Sequence, residues 1–318
     1  MGDDRHHAAT KRQIIEQLRH ILACPIDNLD TAVATAYADD ATVRAFHPVN
    51  DLTGASEISN KLWRAIRQSF PDIERRDLIV AAGEYEEREF VCSLSHLQGT
   101  FIDDWHGIPA SHGVVRLRCG EFNEVRDGRI VGTHILIDTL DLMQQAGCCP
   151  IGPSLGAEGN WEAPVTQDGV QLDQVDSAGG VATLKIVKDM HAGLMAFDGK
   201  SLASMHHAQY WATNFMWYGP AGIGTTRGLT GFETHHQIPF LRGFPDRKVA
   251  RHIANVADGA YAVTGGWPSV VATHSGPDWL NVGPTGRKIE MRVMDFYRID
   301  AGLIAENWVP IDVTDILR

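Results

Sequence analysis

SFPDIERRDLIV at residues 69–80 and GFPDRKVARHIA at residues 243–254 share the tripeptide Phe-Pro-Asp. Phe244 follows Phe70 by 174 positions (244 − 70). The same shift, applied without a gap, aligns further identical residues in the same order: Gly54 with Gly228, Ile79 with Ile253, Arg118 with Arg292, Phe122 with Phe296, Gly128 with Gly302, Asp138 with Asp312 and Asp141 with Asp315. A colinear series of this kind indicates a tandem duplication of one domain.

The duplication predicts two domains joined by a linker. A chain of 318 residues exceeds what one hydrophobic core usually organises, which favours the same division. We place the first domain at residues 1–148, the linker at 149–180 and the second domain at 181–318. The linker is rich in Gly and Pro and lacks helical or strand periodicity, so we expect it to pack along a domain surface through Trp161.

Composition and charge exclude several classes of partner. The formal net charge of -12 works against binding to nucleic acid or to an anionic membrane surface. No apolar run is long enough to span a bilayer, and the opening MGDDRHHAATKRQ lacks the order of a secretory signal, so we expect a cytoplasmic location. The five cysteines are odd in number and form no C-x-x-C set, which favours reduced thiols over disulfides or structural zinc.

Each copy has helical patterns first and strand patterns afterwards. Apolar residues from Ile14 to Leu22 recur at the spacing of an amphipathic helix. The predicted helices lie at about residues 9–23, 29–37 and 56–70 in the first copy and at about 182–197, 202–214 and 231–242 in the second. The remaining segments, up to residue 317, alternate apolar and polar residues between Gly or Asp-Gly turns, which is typical of antiparallel strands. We therefore predict an α+β fold of two tandem cone-shaped domains, each with N-terminal helices packed on a strongly curved antiparallel sheet.

The closing segments at residues 107–147 and 281–318 carry a pattern that points to a known family. In the second copy a Gly-Pro-Thr-Gly turn at residues 283–286 leads into a strand, and a later strand ends in Trp308 followed by Asp312. This pattern resembles the SnoaL-like polyketide cyclase branch of the nuclear-transport-factor-2-like superfamily. The first copy departs from it, because His134 stands where the family usually has Trp.

The resemblance implies a small-molecule ligand and an acidic side chain that moves a proton inside the cone, with no metal or organic cofactor. Such a reaction is an intramolecular aldol closure in the cyclases, but the superfamily also includes dehydratases, isomerases, epoxide hydrolases and proteins that only bind. A duplicated chain also imitates, as an intramolecular pseudo-dimer, the homodimer common in this superfamily. Further homodimerisation stays open.

Several ionisable side chains lie on the closing strands of each copy, where they could transfer protons. Residues separated by an even number share one face of a strand, and the preceding strand carries a carboxylate at the corresponding position of each copy. The candidate catalytic residues are Glu121, His134 and Asp138 in the first copy and His274, Asp295 and Asp312 in the second. Two carboxyl groups that face one apolar cavity have separated pKa values, which suits a general acid and a general base.

The resemblance assigns roles to the second-copy residues. Asp312 or Asp295 would take the proton α to a carbonyl, and His274 or a second carboxyl group would donate to the developing alkoxide. The alternative for each acid is a structural role, either as a cap on neighbouring backbone or in a pair with an arginine.

Aromatic residues favour the second copy as the ligand-binding one. The candidate substrate-binding residues are Trp211, Trp217, Tyr218, Trp267 and Trp308. Such rings suit a flat or hydrophobic ligand, although ordinary core packing is the alternative for each. The first copy is then either degenerate or specialised through His134.

The sequence carries no pattern for other chemistries. It has 15 histidines but no His-x-x-x-His or His-Glu-x-x-His spacing for a metal, and no nucleophile elbow, P-loop or dinucleotide-binding turn. We therefore expect a cofactor-free acid–base enzyme of cyclase, isomerase or dehydratase type, acting on a small, mostly apolar carbonyl compound. The alternatives are a non-catalytic binding or assembly module and an epoxide or lactone hydrolase.

Overall fold

The computed structural model describes residues 2–277 and 279–318. The chain divides into two compact units, each built on one copy of the repeat. The first unit comprises Met1–Pro150, Thr166–Val175 and Asp312–Arg318, and the second comprises Ile151–Val165 and Asp176–Ile311. The last residues of the second copy, from Asp312 onward, therefore belong to the first unit.

The first unit has helices before its first strand, between its second and third strands and after its last strand. Its helices are α1 (Gly2–Ala23), α2 (Leu29–Ala36), α3 (Ala55–Ile58), α4 (Ala65–Ser69) and α5 (Thr139–Gln145), with a 3₁₀ turn at Ile26–Asn28 and a π-helical turn at Ser59–Arg64. Its strands are β1 (Tyr37–Ala45), β2 (Asp51–Thr53), β3 (Glu74–Tyr85), β4 (Arg88–Thr100), β5 (Val114–Arg126) and β6 (Arg129–Ile137). The strands are ordered β2-β1-β6-β5-β4-β3.

The predicted apolar stripes form the core of this unit. Ile14, Leu18 and Ile21 of α1 are fully buried, and α1 packs on β3. Ile58 and Ile66 are also fully buried on the helical segment that ends at α4. Both helices follow from the 3.6-residue spacing of their apolar residues, which gives each one apolar face to bury.

The second unit repeats this plan with the same spacing. Its helices are α6 (Ser177–Met195), α7 (Gly228–Phe232) and α8 (Ile238–Gly243), with 3₁₀ turns at Leu202–Met205, His207–Gln209 and Trp279–Asn281 and a π-helical turn at Glu233–Gln237. Its strands are β7 (Trp211–Tyr218), β8 (Thr226–Arg227), β9 (Lys248–Val249), β10 (His252–Asp258), β11 (Tyr261–Thr273), β12 (Lys288–Asp300) and β13 (Leu303–Trp308). The order is β10-β11-β12-β13-β7-β8, with β9 paired to β11.

The tandem α+β fold is confirmed. The bounds of β5 and β12 differ by 174 residues at both ends, which is the offset read from the sequence. Within the described residues no helix combines the length and apolar character needed to cross a bilayer. The five cysteines are free thiols, as expected, and Trp161 of the predicted linker is buried.

Three local predictions were wrong. The helix predicted at residues 202–214 is two short 3₁₀ turns followed by β7, because the aromatic residues from Trp211 onward favour a strand. The last strand ends at Trp308, since Pro310 interrupts it, and a short helix α9 (Val313–Leu317) follows. The sheets are mixed, because β1 pairs in parallel with β6 and β7 pairs in parallel with β13.

Candidate functional site

The second unit contains a cavity of about 230 Å³. Its lining comes from α6, from the helical segment between α7 and α8, and from the face of the sheet that carries alternate residues of β12. The apolar part of the wall includes Trp211, Trp217, Phe232, Phe240, Met291 and Val293. Among the residues that the structure describes, no lysine or arginine lines this cavity, so its electrostatics depend on one carboxyl group and a few neutral side chains.

Asp295 is the carboxyl group in the cavity wall. It lies on β12 with Val293 and Tyr297, two residues away on either side, so the three side chains point to the same face. Burial raises the pKa of Asp295 to about 7, and hydrogen bonding from Asn307 and Tyr297 opposes that rise. The Nδ2 of Asn307 lies 3.5 Å from Oδ1 of Asp295. A carboxyl group in this state gains and loses a proton near neutral pH.

Tyr297 connects Asp295 to a pair of histidines. Its hydroxyl lies 3.1 Å from Nε2 of His191, on α6. The His191 ring in turn lies 5.4 Å from the ring of His252, on β10. Burial, and secondarily the neighbouring His252, lowers the pKa of His191 to about 4, so this imidazole is neutral at neutral pH.

His236 provides a second polar position in the wall. Its ring stacks on Trp217 with a centroid distance of 4.1 Å and an interplanar angle of 19°. Burial lowers the pKa of His236 to about 3, which keeps the imidazole neutral. Its buried Nδ1 has no hydrogen-bond partner within residues 2–277 and 279–318.

The predicted aromatic residues separate into two groups. Trp211 and Trp217 line the cavity together with Asp295. Tyr218 and Trp308 stack on each other at 4.9 Å and are outside the lining, and Trp308 donates its Nε1–H to the carbonyl of Glu162. Because neighbouring residues on a strand point to opposite faces, Trp308 faces away from the cavity while Asn307 faces it.

His274 and Trp267 also lie outside the cavity lining. His274 packs against Phe244 and Trp279, and its Nδ1 is 3.3 Å from Oγ1 of Thr285. The guanidinium of Arg292 lies over the ring of Trp267, with 5.1 Å between Cζ and the ring centroid. Both side chains therefore pack within the second unit, and the buried Nε2 of His274 has no hydrogen-bond partner among the described residues.

Asp138 and Asp312 cap helices. Each lies after the end of the preceding strand, instead of on it as expected, and accepts a hydrogen bond from a backbone N–H three residues ahead. Asp312 also accepts from the backbone N–H of His47 at 2.8 Å, within the first unit. The carboxylates are thus occupied by backbone donors, which is the structural role that the sequence left open. Neither lines the cavity around Asp295.

Glu121, the counterpart of Asp295, lies in a buried charged network of the first unit. It pairs with Arg75 and accepts a hydrogen bond from Ser93 at 3.3 Å. Arg75 also donates to Asp77 at 2.6 Å, and Asp77 accepts from Arg19 at 2.6 Å. The side chains of Arg75 and Glu121 are 1% and 0% exposed, so the carboxylate is already neutralised and is enclosed by protein.

His134 lies on β6, opposite Phe122 of β5. Burial, followed by the charges of Arg44 and Arg88, lowers the pKa of His134 to about 3. It holds the position of Trp308, which in the second unit points away from the cavity. His134 and Glu121 are therefore on opposite faces of the first sheet, because their partners in the β5–β6 register are adjacent residues.

The sequence reasoning missed Tyr297, Asn307, His191 and His236. Tyr297 lies two residues beyond Asp295 on a predicted strand, so strand alternation alone would have placed both on one face. Asn307 could be found only by knowing which face of the last strand points to the cavity. His191 and His236 lie on helices whose packing onto the sheet is a tertiary feature, and no local pattern distinguishes them from surface histidines.

Comparisons with known proteins match one family to both copies. The family model described as SnoaL-like polyketide cyclase matches residues 18–146 and again residues 198–318. Similar solved structures include a SnoaL-like protein from Jannaschia sp. CCS1, with 16% identity over 43% of this chain and 93% of that chain at a TM-score of 0.36. TsrD from Streptomyces laurentii has 16% identity over 44% of this chain and 96% of its own, at a TM-score of 0.37.

A third solved structure is a protein with a ketosteroid isomerase-like fold from Catenulispora acidiphila. It has 17% identity over 42% of this chain and 92% of that chain, at a TM-score of 0.32. No curated protein sequence matches the chain.

Proposed function

Since the chain belongs to the SnoaL-like polyketide cyclase family, we propose that its second unit catalyses a cofactor-free acid–base reaction on a small, uncharged carbonyl compound. The reaction is of cyclase, isomerase or dehydratase type. The observation that carries the proposal is the carboxyl group of Asp295, which has a pKa of about 7 in the wall of an otherwise largely apolar cavity. Asp295 replaces Asp312 as the leading candidate for the base, because Asp312 caps a helix.

Proton abstraction begins with Asp295 in its carboxylate form. The carboxylate takes a proton from the carbon next to the carbonyl, and the electron pair of that C–H bond moves into the enolate. Poor solvation makes the carboxylate a stronger base than it is in water. The resulting carboxylic acid then returns its proton, either to another carbon in an isomerisation or to the alkoxide formed when the enolate carbon attacks a second carbonyl.

The developing enolate oxygen requires a hydrogen-bond donor that is already in place. His236 and Gln237 line the same cavity as Asp295 and are uncharged at neutral pH. The partnerless Nδ1 of His236 makes this side chain the better candidate of the two. We assign to it the role that the sequence had suggested for His274.

The lining supports an uncharged substrate. With no lysine or arginine among its described lining residues, the cavity has no group to compensate a carboxylate or phosphate taken out of water. The rings of Trp211 and Trp217 suit a flat apolar body. The substrate is therefore uncharged, with its reactive carbonyl directed at the polar wall.

Solvent exchange tests this function without knowledge of the product. The protein is incubated in D2O with a panel of β-keto esters, aromatic ketones and hydroxy-lactones, and loss of each α-proton signal is followed by NMR. We expect exchange with the wild type and a decrease of about 10²- to 10⁴-fold in Asp295→Asn, which keeps the shape but not the base. Asp312→Asn is the control, and its exchange rate should remain that of the wild type.

Exchange that persists in Asp295→Asn would overturn the assignment. Thermal stabilisation by a panel compound, equal in the wild type and Asp295→Asn and without exchange, would instead favour a binding module. Hydrolysis of a lactone without exchange would favour the hydrolase alternative.

A further inference from the structure

The hydroxyl of Tyr297 lies between the proposed base and a histidine that the mechanism does not use. It is 3.1 Å from Nε2 of His191 and within hydrogen-bonding reach of the Asp295 carboxyl. Tyr297 is 2% exposed. Burial raises the pKa of Tyr297 well above its ordinary value, and the carboxyl of Asp295 raises it further. The phenol is therefore protonated at neutral pH.

A phenol has a single hydrogen to donate. When the hydroxyl of Tyr297 donates to Asp295, its oxygen is left to accept a hydrogen bond from Nε2–H of His191. The tautomer of His191 thereby directs the hydroxyl hydrogen toward Asp295, because an Nε2–H group cannot accept it. The hydroxyl of Thr264 is the other hydrogen-bonding neighbour of Tyr297. A hydrogen bond donated to a carboxylate favours its charged form.

We propose that Tyr297 and His191 are positioning residues that together hold the carboxylate of Asp295 in place and in its ionised form. This inference rests on the proposed function of the same cavity. His191 acts through Tyr297, and Tyr297 acts on Asp295. Without the pair, Asp295 would keep only the donor group of Asn307, whose nitrogen is 3.5 Å away and also donates to the backbone carbonyl of Phe296.

The other groups that face Asp295 do not replace this pair. On the helical side, His236 is held neutral by burial, as is His191 itself. His252, on β10, has a lowered pKa because of burial and the nearby charge of Lys188. Since the histidines are neutral, the described lining residues include no fixed positive charge that would stabilise a carboxylate.

The described residues of the neighbouring strands place no positive charge opposite Asp295. On β11, the residue opposite Asp295 is Thr264. On the other side, β13 places Asn307 opposite Tyr297, while Glu306 lies opposite Arg298, with which it pairs on the other face of the sheet. Among the described residues, hydrogen bonding from Tyr297 and Asn307 is therefore what opposes the effect of burial on Asp295.

The first copy lacks both members of the pair. The positions 174 residues earlier than His191 and Tyr297 are Gln17 and Asn123. Asn123 accepts a hydrogen bond from Thr133 at 2.7 Å, and the carboxylate of Glu121 pairs with Arg75. The Tyr–His pair therefore occurs in the copy whose carboxylate lines the cavity and, within the part of the chain that the structure describes, has no cationic partner in that lining.

Direct titration of Asp295 tests the inference without a substrate. The protein is labelled with ¹³C at aspartate carboxyl groups, the Asp295 signal is assigned by its loss in Asp295→Asn, and its pH dependence is recorded. We expect Tyr297→Phe to move the midpoint upward by about 1 pH unit, as for the loss of one hydrogen bond to a charged group. In Tyr297→Phe, the pH at which the solvent-exchange rate rises should move upward with the Asp295 midpoint. At pH values well above the midpoint, the exchange rate of this variant should return to that of the wild type.

Two replacements of His191 separate positioning from packing. His191→Gln keeps an N–H donor near the hydroxyl of Tyr297, whereas His191→Leu keeps the bulk and removes the donor. We expect Leu to raise the midpoint of Asp295 and Gln to leave it near the wild-type value. Equal midpoints for the Leu and Gln variants, or an unchanged midpoint in Tyr297→Phe, would overturn the inference.

The titration of Asp295 tests the positioning pair separately from the solvent-exchange test of the proposed function. Raised midpoints in Tyr297→Phe and His191→Leu, with no exchange of any compound even in the wild type, would support the positioning pair and count against the enzyme. Exchange that depends on Asp295 with unchanged midpoints would support the enzyme and overturn the pair.

Discussion

The two copies share one architecture and differ in what fills it. At corresponding positions of β5 and β12, Glu121 of the first unit is enclosed with Arg75, while Asp295 of the second unit faces a cavity. The position that corresponds to Arg75 is Val249, whose side chain lines that cavity and is 54% exposed. A carboxylate on the same strand is therefore a structural ion in one copy and a titratable group in the other.

This difference between the two units indicates that a guanidinium partner determines the role of the carboxylate on this strand. A buried carboxylate with a guanidinium partner has its charge compensated, whereas one without such a partner has a raised pKa. We infer that the duplication allowed the first copy to keep a stable interior and the second to keep a site.

The largest expected effect is on the ion pair of the first unit. Replacing Arg75 with Leu leaves Glu121 buried without its cation and takes one donor from Asp77, so we expect a loss of roughly 3–5 kcal/mol in the free energy of unfolding. Removing Glu121 as well, in the double variant Arg75→Leu/Glu121→Leu, should recover most of that loss. Amide hydrogen exchange followed by mass spectrometry reads the effect in peptides from β3 to β5.

Val249→Leu is the matched control in the second unit. This side chain is more than half exposed, so the change in the free energy of unfolding should stay within about 0.5 kcal/mol. A loss below about 1 kcal/mol in Arg75→Leu would contradict the role given to the ion pair, because an unpaired buried charge costs more than that.

The fold could be predicted from the sequence because it depends on periodic patterns. The apolar spacing of α1 and the alternation along β5 and β12 are local, and the shift of 174 residues then transfers each element to the other copy. The helix predicted before β7 failed because its aromatic residues are buried by a parallel strand that is distant in sequence. Propensity alone does not distinguish the two outcomes.

The candidate site could be predicted only in part from the sequence. Asp295, Trp211 and Trp217 follow from strand position and composition, and all three line the cavity. Asp312 was misleading, because an acid just after a strand and an acid at a helix cap have the same sequence pattern until the end of the strand is known. The partner of a carboxylate, whether Arg75 or the Tyr297–His191 pair, is set by tertiary packing.

The second prediction concerns the stability of the second unit and its dependence on pH. The folded pKa of Asp295, about 7, is above its usual value of 3.8. The folded state therefore binds the proton more tightly, and stability from this group is full at low pH and is lost as the pH rises from about 4 to about 7. Asp295→Asn should raise the free energy of unfolding by about 1 to 3 kcal/mol at pH values above 7.

Thermal unfolding at about pH 5 and about pH 8.5 measures this effect, since the advantage of Asn over Asp should grow between the two. Glu121→Gln is the comparison in the first unit. It breaks an ion pair and should destabilise the protein at both values. An advantage of Asn that shrinks as the pH rises would mean that Asp295 has a cationic partner after all.

The smallest expected effect belongs to the two helix caps, which test whether the strand-end acids are structural in both copies. Asp138→Ala and Asp312→Ala each remove a carboxylate that accepts from a backbone N–H three residues ahead. We expect each to lower the free energy of unfolding by about 1 kcal/mol, the usual value of an N-cap, and to leave solvent exchange of the panel compounds unchanged. Urea unfolding measures the first effect and NMR the second. If Asp312→Ala abolished exchange while its stability stayed that of the wild type, the proposed base would be Asp312, and Asp295 would lose its place in the reaction.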